Sequence, residues 1–570
     1  MPLLEETRME ICAQMEFMSG VPHAEVISVE ESKLHEGSFL YCVKVNSWRN
    51  RYGVYDKEPY SPKPWDLFIL GDTVPEVASD LQRFGSSWSL VSVVEDAKES
   101  DSVGDEDKLT YFQVKTPKPI KIEMKEGMRK SLFVVFLVNL ATNTRTWKAL
   151  HMFGNLNIIK EVLCADSMVK EKCGLCSTQD DRSWDGKVDS QLLALNESQR
   201  AAILGTISAV HCNHRSSVKL VWGPPGTGKT KTISVLVYSL LSMNCRTLAC
   251  SPKSIAVAEL ALRILNLHKD ACESNLGKSK AGCSLGDFLI FGSMDKLEFC
   301  DDLRKIYVDY RVDSLVECFA PLTGWKKHFD SMVDFLEDCA SQYRLLLDHV
   351  TDDIGTDSDV HMSLFKFAKD RFRALAVPLK RSIRIICTHL PKRLILLDNF
   401  EKLVTLCGLL ESFEILLSQS QVADKELEEL FARQEDYVEA QRSTAFNHIS
   451  ATLHKMRIES VQVLRSVGHS LSSRLPSSSN RSLLTEFCLK NSSLIFTTVS
   501  SSYNLHVVNL EPLDLLVIDE AAQLKECESV IPMQLEAIRH VVLIGDECHP
   551  RARVRSRVSD EADFGRSLFE

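Results

Sequence analysis

The stretch VKLVWGPPGTGKTKTISVLVYSL, residues 218–240, decides the fold class. VKLVW (218–222) predicts a short buried strand, and KTKTISVLVYSLLSM (229–243) predicts a helix. Between them GPPGTGKT (223–230) fits the pattern G-x-x-x-x-G-K-[ST]. A glycine-rich loop in that position is typical of a phosphate-binding loop in a parallel α/β sheet.

The residue types of this loop explain how it would bind phosphate. Gly226 and Gly228 lack Cβ, so the backbone can turn its N–H groups toward phosphate oxygens. The helix that follows presents the positive end of its dipole, Lys229 adds a charge for the β and γ phosphates, and Thr230 offers a hydroxyl to Mg²⁺. The predicted nucleotide-binding residues are Gly223, Pro224, Pro225, Gly226, Thr227, Gly228, Lys229 and Thr230.

An acidic pair follows a second apolar strand, in LLVIDEAAQ (515–523). A carboxylate at a strand end can reach Mg²⁺ beside the phosphates, so Asp519 is the predicted metal ligand. Glu520 is predicted to orient and deprotonate the attacking water, and Lys229 completes the catalytic pair. Acidic pairs are common in surface loops, so the prediction depends on the phosphate loop being present.

Strands and helices alternate around the loop and then stop. RTLACS (246–251) and IAVAELALRILNL (255–267) predict another strand and helix, after which the pattern is helical for some two hundred residues. Strands resume at SLIFTT (493–498), DLLVID (514–519) and VVLIG (541–545). One parallel sheet interrupted by a helical insertion is the economical interpretation, because two separate α/β domains would each have too few strands.

The first 160 residues are predicted to form a small barrel or sandwich. Short apolar or alternating runs recur there, separated by Pro, Gly and Asp. An acidic stretch, residues 95–107, is predicted to be a solvated loop between two of the strands. The runs are FLYCVKV (39–45), WDLFIL (65–70), WSLVSVV (88–94), LTYFQV (109–114) and SLFVVFLVNL (131–140).

Composition excludes several classes of protein. The 570 residues start without a basic or apolar leader and contain no apolar run of membrane-spanning length, so neither a secretory signal nor a membrane span is expected. The 18 cysteines are then expected to be reduced thiols. A net charge of −11 argues against a polyanion-binding surface over the whole molecule, although a local basic groove stays open.

Two groups of residues raise the question of a metal site. Cys173 and Cys176 form one CxxC near Cys164, but no second CxxC supplies the remaining zinc ligands. His211 and His214 flank Cys212 in a polar loop and lack further ligands nearby. Ordinary thiols and loop histidines are the preferred interpretation.

Four motifs together resemble those of superfamily 1 helicases of the up-frameshift and senataxin type. They are LNESQRAAI (195–203), GPPGTGKT, DEAAQ (519–523) and GDEC (545–548). The resemblance implies that Gln199 reads adenine and that Gly545, Asp546 and His549 form the segment that senses the γ-phosphate. It also implies ATP and Mg²⁺ as cofactors, and single-stranded RNA or DNA as partner.

The same resemblance implies an architecture of fold class α/β. A RecA-like lobe with a parallel sheet would carry a large helical insertion and follow a small β-barrel-like domain. The expected boundaries are 1–160 for the barrel, 161–194 for a linker or stalk, 195–270 with 486–570 for the lobe, and 271–485 for the insertion.

The resemblance also implies a second RecA-like lobe, and we expect this chain to be truncated before it, after the GDEC segment. We therefore expect this chain alone to bind ATP·Mg²⁺ and to hydrolyse ATP slowly. The expected location is nuclear or cytoplasmic, with RNA-processing proteins as further partners and the oligomeric state open. The alternatives are an ATP-dependent binding or regulatory module without motor activity and, less favoured, a switch-type P-loop ATPase.

The sequence departs from the family pattern at two places. Pro252-Lys253-Ser254 stands where the family has Pro-Thr-Asn, which puts one strand contact in doubt. His549 stands where the family has the sensing Gln, and an imidazole differs from an amide in reach and geometry.

Candidate nucleic-acid contacts are basic or lie at strand ends. Pro252, Lys253 and Thr498 are expected contacts by resemblance. In the basic stretch 366–393 a helix would place four cations on one broad face, although such a face is often simply solvated. These four are Arg373, Lys380, Arg381 and Arg384.

The alternating arginines 551, 553, 555 and 557 would all point one way if their segment is extended. They would then either contact nucleic acid or belong to a surface segment.

Overall fold

The structure of the chain is a computed structural model. It describes residues 1–570 except 17, 19, 33–38, 50–59, 84–87, 96–97, 100–108, 121–123, 126–127, 130, 164–191, 193, 213, 275–283, 293–299, 354–362, 420–426, 429, 432–447, 537, 547 and 549–550. The chain divides into two compact units. The first comprises Met1–Ile159, Glu520–Glu536 and Ile544–Glu570, and the second comprises Lys160–Asp519 and Ala537–Leu543.

A closed antiparallel barrel is the centre of the first unit. Its strands follow the order β2-β1-β9-β3-β4-β6, and pairing of β2 with β6 closes the ring. The short β5 extends β6, and β7 and β8 form a separate hairpin. The strands are β1 (His23–Glu31), β2 (Phe39–Val45), β3 (Asp66–Gly71), β4 (Trp88–Val93), β5 (Lys98–Glu99), β6 (Thr110–Thr116), β7 (Met124–Lys125), β8 (Met128–Arg129) and β9 (Leu132–Asn139).

Alternation of apolar residues fills the barrel. In β6 every second side chain is buried, which places Phe112 and Val114 inside. Phe68 stacks on Trp48 with ring centroids 5.7 Å apart, and Phe112 lies at the same distance from Phe68. The closed ring confirms the predicted small barrel. The prediction was possible because the period-two pattern of the strands is visible in the sequence.

Helices also belong to the first unit, and none of them was predicted from the sequence. They are α1 (Pro2–Glu16), α2 (Ala78–Arg83), α3 (Ala141–Leu150), α16 (Glu526–Met533) and α17 (Arg557–Glu561); α4 (Leu156–Leu163) lies where the first unit ends and the second begins. The apolar residues of α1 follow no strong helical stripe, so its pattern gave little signal.

Two polar contacts connect α1 and the residues just before α4 to the segments Glu520–Glu536 and Ile544–Glu570 of the same unit. Glu6, only 6% exposed, accepts the backbone N–H groups of Arg555 at 2.7 Å and Ser556 at 3.0 Å. Gln534 accepts the N–H groups of Gly154 and Asn155 through its Oε1 at 3.1 and 3.2 Å. The N–H groups of Ser556 and Asn155 are buried, so each contact supplies a partner to a backbone group that water does not reach.

A six-stranded sheet forms the centre of the second unit, in the order β10-β15-β14-β11-β13-β12. The pairs β15–β14, β14–β11, β11–β13 and β13–β12 are parallel. This confirms a single sheet whose strands come both before and after a long insertion in the chain. The strands are β10 (Ser217–Trp222), β11 (Thr247–Ser251), β12 (Phe288–Phe291), β13 (Leu494–Thr498), β14 (Leu513–Ile518) and β15 (Ile538–Gly545).

Two details of the sheet differ from the sequence-based expectation. The strand VKLVW is not buried: β10 is an edge strand among the described residues, and Leu220 and Trp222 are each 56% exposed. Within the range predicted as helical insertion, β12 joins the sheet by pairing with β13. Four apolar residues are too few for periodicity to distinguish a strand from a helix.

Helices surround the sheet and form the insertion. Those next to the sheet are α5 (Glu197–Val210), α6 (Lys229–Ser242) and α7 (Ser254–Ser274). Those of the insertion are α8 (Asp301–Ile306), α9 (Val308–Cys318), α10 (Trp325–Asp353), α11 (Leu364–His389), α12 (Lys392–Ile395), α13 (Leu397–Gln419), α14 (His448–Ser472) and α15 (Arg481–Asn491). Phe372 packs on Phe413 in the insertion core, with ring centroids 5.0 Å apart.

Arg246, just before β11, connects the sheet to the end of the insertion. Its guanidinium donates to the backbone carbonyls of Leu489, Lys490 and Ser492 at 3.0–3.3 Å and to that of Glu511 at 2.7 Å. Its own N–H donates to Asp514 at 2.8 Å. Burial lowers the Arg246 pKa to about 10, so the side chain stays charged at neutral pH.

None of the helices in the described parts of the chain has the combination of length and apolarity that crossing a membrane requires.

The Glu6 contact generates a stability prediction. Glu6→Ala removes a charged acceptor from two backbone N–H groups, so the unit should lose about 2–3 kcal/mol of unfolding free energy. Glu6→Gln keeps one acceptor oxygen and should lose less. Urea unfolding measures both.

Glu5→Ala is the matched control, because Glu5 makes an exposed ion pair with Arg8 that contributes little. Equal midpoints for Glu6→Ala and Glu5→Ala would contradict the role given to Glu6.

Candidate active site

The loop between β10 and α6 has the backbone form that phosphate binding requires. Gly226 and Gly228 have φ angles of +79° and +83°, a region that residues with a Cβ rarely adopt. Gly228 is also the N-cap residue of α6. Pro224 and Thr227 are exposed, so the loop lies open to a ligand.

Lys229 hydrogen-bonds to the loop itself. Its Nζ donates to the carbonyl of Gly223 at 2.7 Å and to that of Pro224 at 3.3 Å. Both partners are neutral carbonyls at the mouth of the loop. A triphosphate offers charged oxygens, which make stronger hydrogen bonds with an ammonium group, so these contacts can be exchanged for a ligand.

Helix α5 begins beside the loop with a capping box. Asn196 is the N-cap, and it accepts the N–H of Gln199 at 2.9 Å while Gln199 Oε1 accepts the Asn196 N–H at 3.1 Å. The Gln199 Nε2 donates to the carbonyl of Thr227 at 2.9 Å. Ser198 Oγ also donates to Asn196 Oδ1 at 3.1 Å.

The predicted acidic pair follows the end of β14. Asp519 is 3% exposed, and its N–H donates to the Cys250 carbonyl at 2.9 Å, which continues the parallel pairing of β14 with β11. Glu520 has a φ of +55°, and its Oε2 accepts Gln523 Nε2 at 2.9 Å. A residue with a Cβ in that conformation costs about 1–2 kcal/mol, and such strain is concentrated at functional sites.

The segment GDEC begins at Gly545, the last residue of β15. A Cβ on Gly545 would lie 3.0 Å from the Ala522 backbone nitrogen and 3.1 Å from its Cβ, so this strand end approaches the DEAAQ segment closely. Asp546 is 2% exposed and accepts the N–H of Cys548 at 3.0 Å. His549 lies outside the described residues.

The donor set fits Mg²⁺, which prefers hard oxygen ligands. Asp519 contributes a buried carboxylate at a strand end, and Thr230 contributes a hydroxyl in the first turn of α6. Among the described residues no group of three or more His, Cys, Asp and Glu could hold another metal ion. Cys164, Cys173 and Cys176 lie outside these residues.

The basic helix of the insertion is present, but most of its four cations contact carboxylates. Arg373 Nε lies 3.0 Å from Glu414, and Lys380 lies 3.8 Å from the same residue, both across to α13. Arg381 reaches Glu317 of α9 at 2.7 Å. Arg384 is exposed. A nucleic-acid role for this face stays a prediction, and it would require these exposed ion pairs to open.

The predicted contacts at the sheet lie at neighbouring strand ends. Pro252 and Lys253 follow β11, and Thr498 ends β13, where it is paired in register with Ser251. Thr498 Oγ1 accepts the N–H of Ser501 at 3.1 Å. The carboxyl ends of these strands are therefore together, as the proposed contacts require.

The alternating arginines lie on an irregular segment that runs into α17, and all four are exposed. Arg551 pairs with Asp563 and Glu570 at 3.1 and 2.8 Å, and Arg557 pairs with Glu561 at 2.8 Å. Arg553 and Arg555 line a polar cavity of about 200 Å³ in the first unit.

Comparison with known proteins identifies the family. A family model described as an AAA domain matches residues 194–554, which is more than half of the chain. The chain belongs to the superfamily 1 helicases of the senataxin and up-frameshift group. The sheet of the second unit is accordingly a RecA-like P-loop fold. Residues 1–170 match a domain of unknown function (DUF6469).

Curated relatives match segments of the chain. "Probable helicase senataxin" of Homo sapiens is 31% identical over 181 residues, which is 29% of this chain and 6% of that protein. "Regulator of nonsense transcripts 1 homolog" of Neurospora crassa is 42% identical over 71 residues, 12% of this chain and 6% of that protein. "ATP-dependent helicase upf1" of Schizosaccharomyces pombe is 38% identical over 77 residues, 12% of this chain and 8% of that protein. The chain thus covers only a small part of these relatives.

The prediction that Asp519 is a Mg²⁺ ligand can be tested by substitution. Asp519→Asn removes the charged ligand, so ATP affinity measured with Mg²⁺ should fall about tenfold, close to the wild-type value in EDTA. Fluorescent ATP-analogue titration with and without Mg²⁺ tests this.

Asp514→Asn, five residues earlier on β14, is the control, because an amide oxygen can still accept the Arg246 N–H. An Asp519→Asn variant that keeps the full Mg²⁺ effect would exclude Asp519 as the ligand.

Proposed function

We propose that the chain is the ATP-binding part of a senataxin-like, ATP-dependent helicase. It would hydrolyse ATP to move on single-stranded RNA or DNA when a second RecA-like lobe is present. The observation that carries the proposal is the left-handed backbone conformation of Gly226 and Gly228, in the loop before Lys229. This loop follows β10, a strand of the same sheet in which β14 leads into Asp519 and Glu520.

Each residue of the site has a role in this proposal. Lys229 binds the β and γ phosphates, Thr230 and Asp519 hold Mg²⁺, and Glu520 accepts the proton of the attacking water. Bound Mg²⁺ would neutralise charge on the phosphates. Gln523 fixes the Glu520 carboxylate through a 2.9 Å hydrogen bond and was not singled out from the sequence.

The remaining roles follow from the family. Gly545, Asp546 and His549 would couple the γ-phosphate to the second lobe. Pro252, Lys253 and Thr498 would contact a strand of nucleic acid, together with the basic face of α11. We also propose the boundaries 1–160, 161–194, 195–270 with 486–570, and 271–485 as functional divisions, and a nuclear or cytoplasmic location with RNA-processing partners.

A second function has one observation in its favour. Three of the four cations on the basic face of α11 are paired with carboxylates, which reduces its attraction for a phosphate backbone. An ATP-dependent binding or regulatory module without motor activity would be compatible with that neutralised face.

Nucleic-acid-stimulated ATP hydrolysis distinguishes the two functions. We expect slow basal hydrolysis that single-stranded RNA or DNA increases. Glu520→Gln should reduce the stimulated rate by about 10²-fold or more, because the water loses its base, and should leave ATP binding intact.

Glu526→Gln, an exposed acid at the start of α16, should behave as wild type. ATP binding without any stimulation by either nucleic acid would contradict the motor function and favour the binding module.

A further inference from the structure

Gln199 connects the start of α5 to the phosphate loop through both ends of its amide. The Oε1 accepts the Asn196 N–H at 3.1 Å, which closes the capping box. The Nε2 donates to the Thr227 carbonyl at 2.9 Å. One side chain therefore fixes a helix start and one peptide of the loop, within the second unit.

The carbonyl that Gln199 holds lies between the two left-handed glycines. Thr227 follows Gly226 and precedes Gly228, with φ angles of +79° and +83° at those glycines. The Thr227 Oγ1 donates to the Pro224 carbonyl at 2.7 Å, so the residue is fixed on a second side as well. A Cβ on Gly228 would come within 2.9 Å of Gln199 Nε2, which shows how closely the amide approaches the loop.

Because a peptide group is planar, the hydrogen bond from Gln199 to the Thr227 carbonyl also sets the direction of the Gly228 N–H group. The Thr227 C=O and the Gly228 N–H belong to one trans peptide and point in opposite directions. Holding the carbonyl toward Gln199 therefore directs the Gly228 N–H away from Gln199. Backbone N–H groups of such loops are the donors to phosphate oxygens, so the orientation of this peptide matters before any ligand arrives.

We propose that Gln199 is a positioning residue for the phosphate loop, acting through the Thr227 carbonyl on any ligand that carries a triphosphate. This rests on the proposed function, since it assumes that the loop binds a nucleotide. A residue that only reads the base would affect adenine nucleotides alone. A residue that orders the loop affects ATP, GTP and inorganic tripolyphosphate alike.

Two variants separate the loop contact from the helix cap. Gln199→Met keeps the side-chain length and removes both amide contacts. Asn196→Ala removes the other half of the capping box and leaves the Gln199 contact with Thr227. Both weaken the start of α5, and only the first releases the loop.

Calorimetric titration of the Mg²⁺ complexes of ATP, GTP and tripolyphosphate tests the inference. We expect Gln199→Met to bind all three about 3- to 10-fold more weakly, as for the loss of one neutral hydrogen bond. Asn196→Ala should stay within about twofold of wild type for all three ligands. Loss confined to ATP would overturn the inference and make Gln199 a reader of the base.

Amide hydrogen exchange of the ligand-free protein supplies a second readout. The peptide that contains Gly223–Gly228 should exchange faster in Gln199→Met and at the wild-type rate in Asn196→Ala. Unchanged exchange in Gln199→Met would also overturn the inference. Failure of the proposed function looks different: wild type would then bind none of the three ligands, or would bind them equally well after Lys229→Ala.

Discussion

The hydrogen bonds of the buried Arg246 guanidinium hold together the chain segments that lead into the central strands of the sheet. Strands β11, β13 and β14 are adjacent in the sheet, although the whole insertion separates β11 from the other two. Arg246 donates to carbonyls at the end of α15, just before β13, and to the Glu511 carbonyl just before β14. Because several carbonyls share one charge, the chain is fixed where it leaves the insertion and returns to the sheet.

The parallel register of the strands links the contacts of Arg246 to the position of Asp519. Thr247 pairs with both Leu494 and Leu515, and the pairing continues without a shift to the carboxyl ends of the strands. The β11–β14 pairing ends at Cys250, whose carbonyl accepts the Asp519 N–H, and the β11–β13 pairing ends one residue later at Ser251. The position of Asp519, the proposed Mg²⁺ ligand, thus depends on strand pairing that begins beside Arg246 at the opposite end of the sheet.

Local features were predictable from the sequence, and features that depend on distant partners were not. The phosphate loop, the acidic pair and the strands of the barrel follow from residue type and period over a few residues. The exposure of Leu220 and Trp222 follows from the place of β10 at the sheet edge, which no pattern in VKLVW encodes. The carboxylates beside Arg373 and Arg381 come from other helices, so the basic stretch alone suggested a more open surface than the fold provides.

The central claim is that the loop before Lys229 binds the phosphates of ATP. Isothermal titration of wild type and Lys229→Ala with ATP·Mg²⁺ tests it most directly, with Lys231→Ala as a control because that side chain donates to the Ala194 carbonyl outside the loop. The account predicts saturable binding by wild type and by Lys231→Ala, and a loss of affinity of at least about tenfold in Lys229→Ala, as expected for a charged hydrogen bond. Equal affinity of Lys229→Ala and wild type, or no binding by wild type, would contradict it.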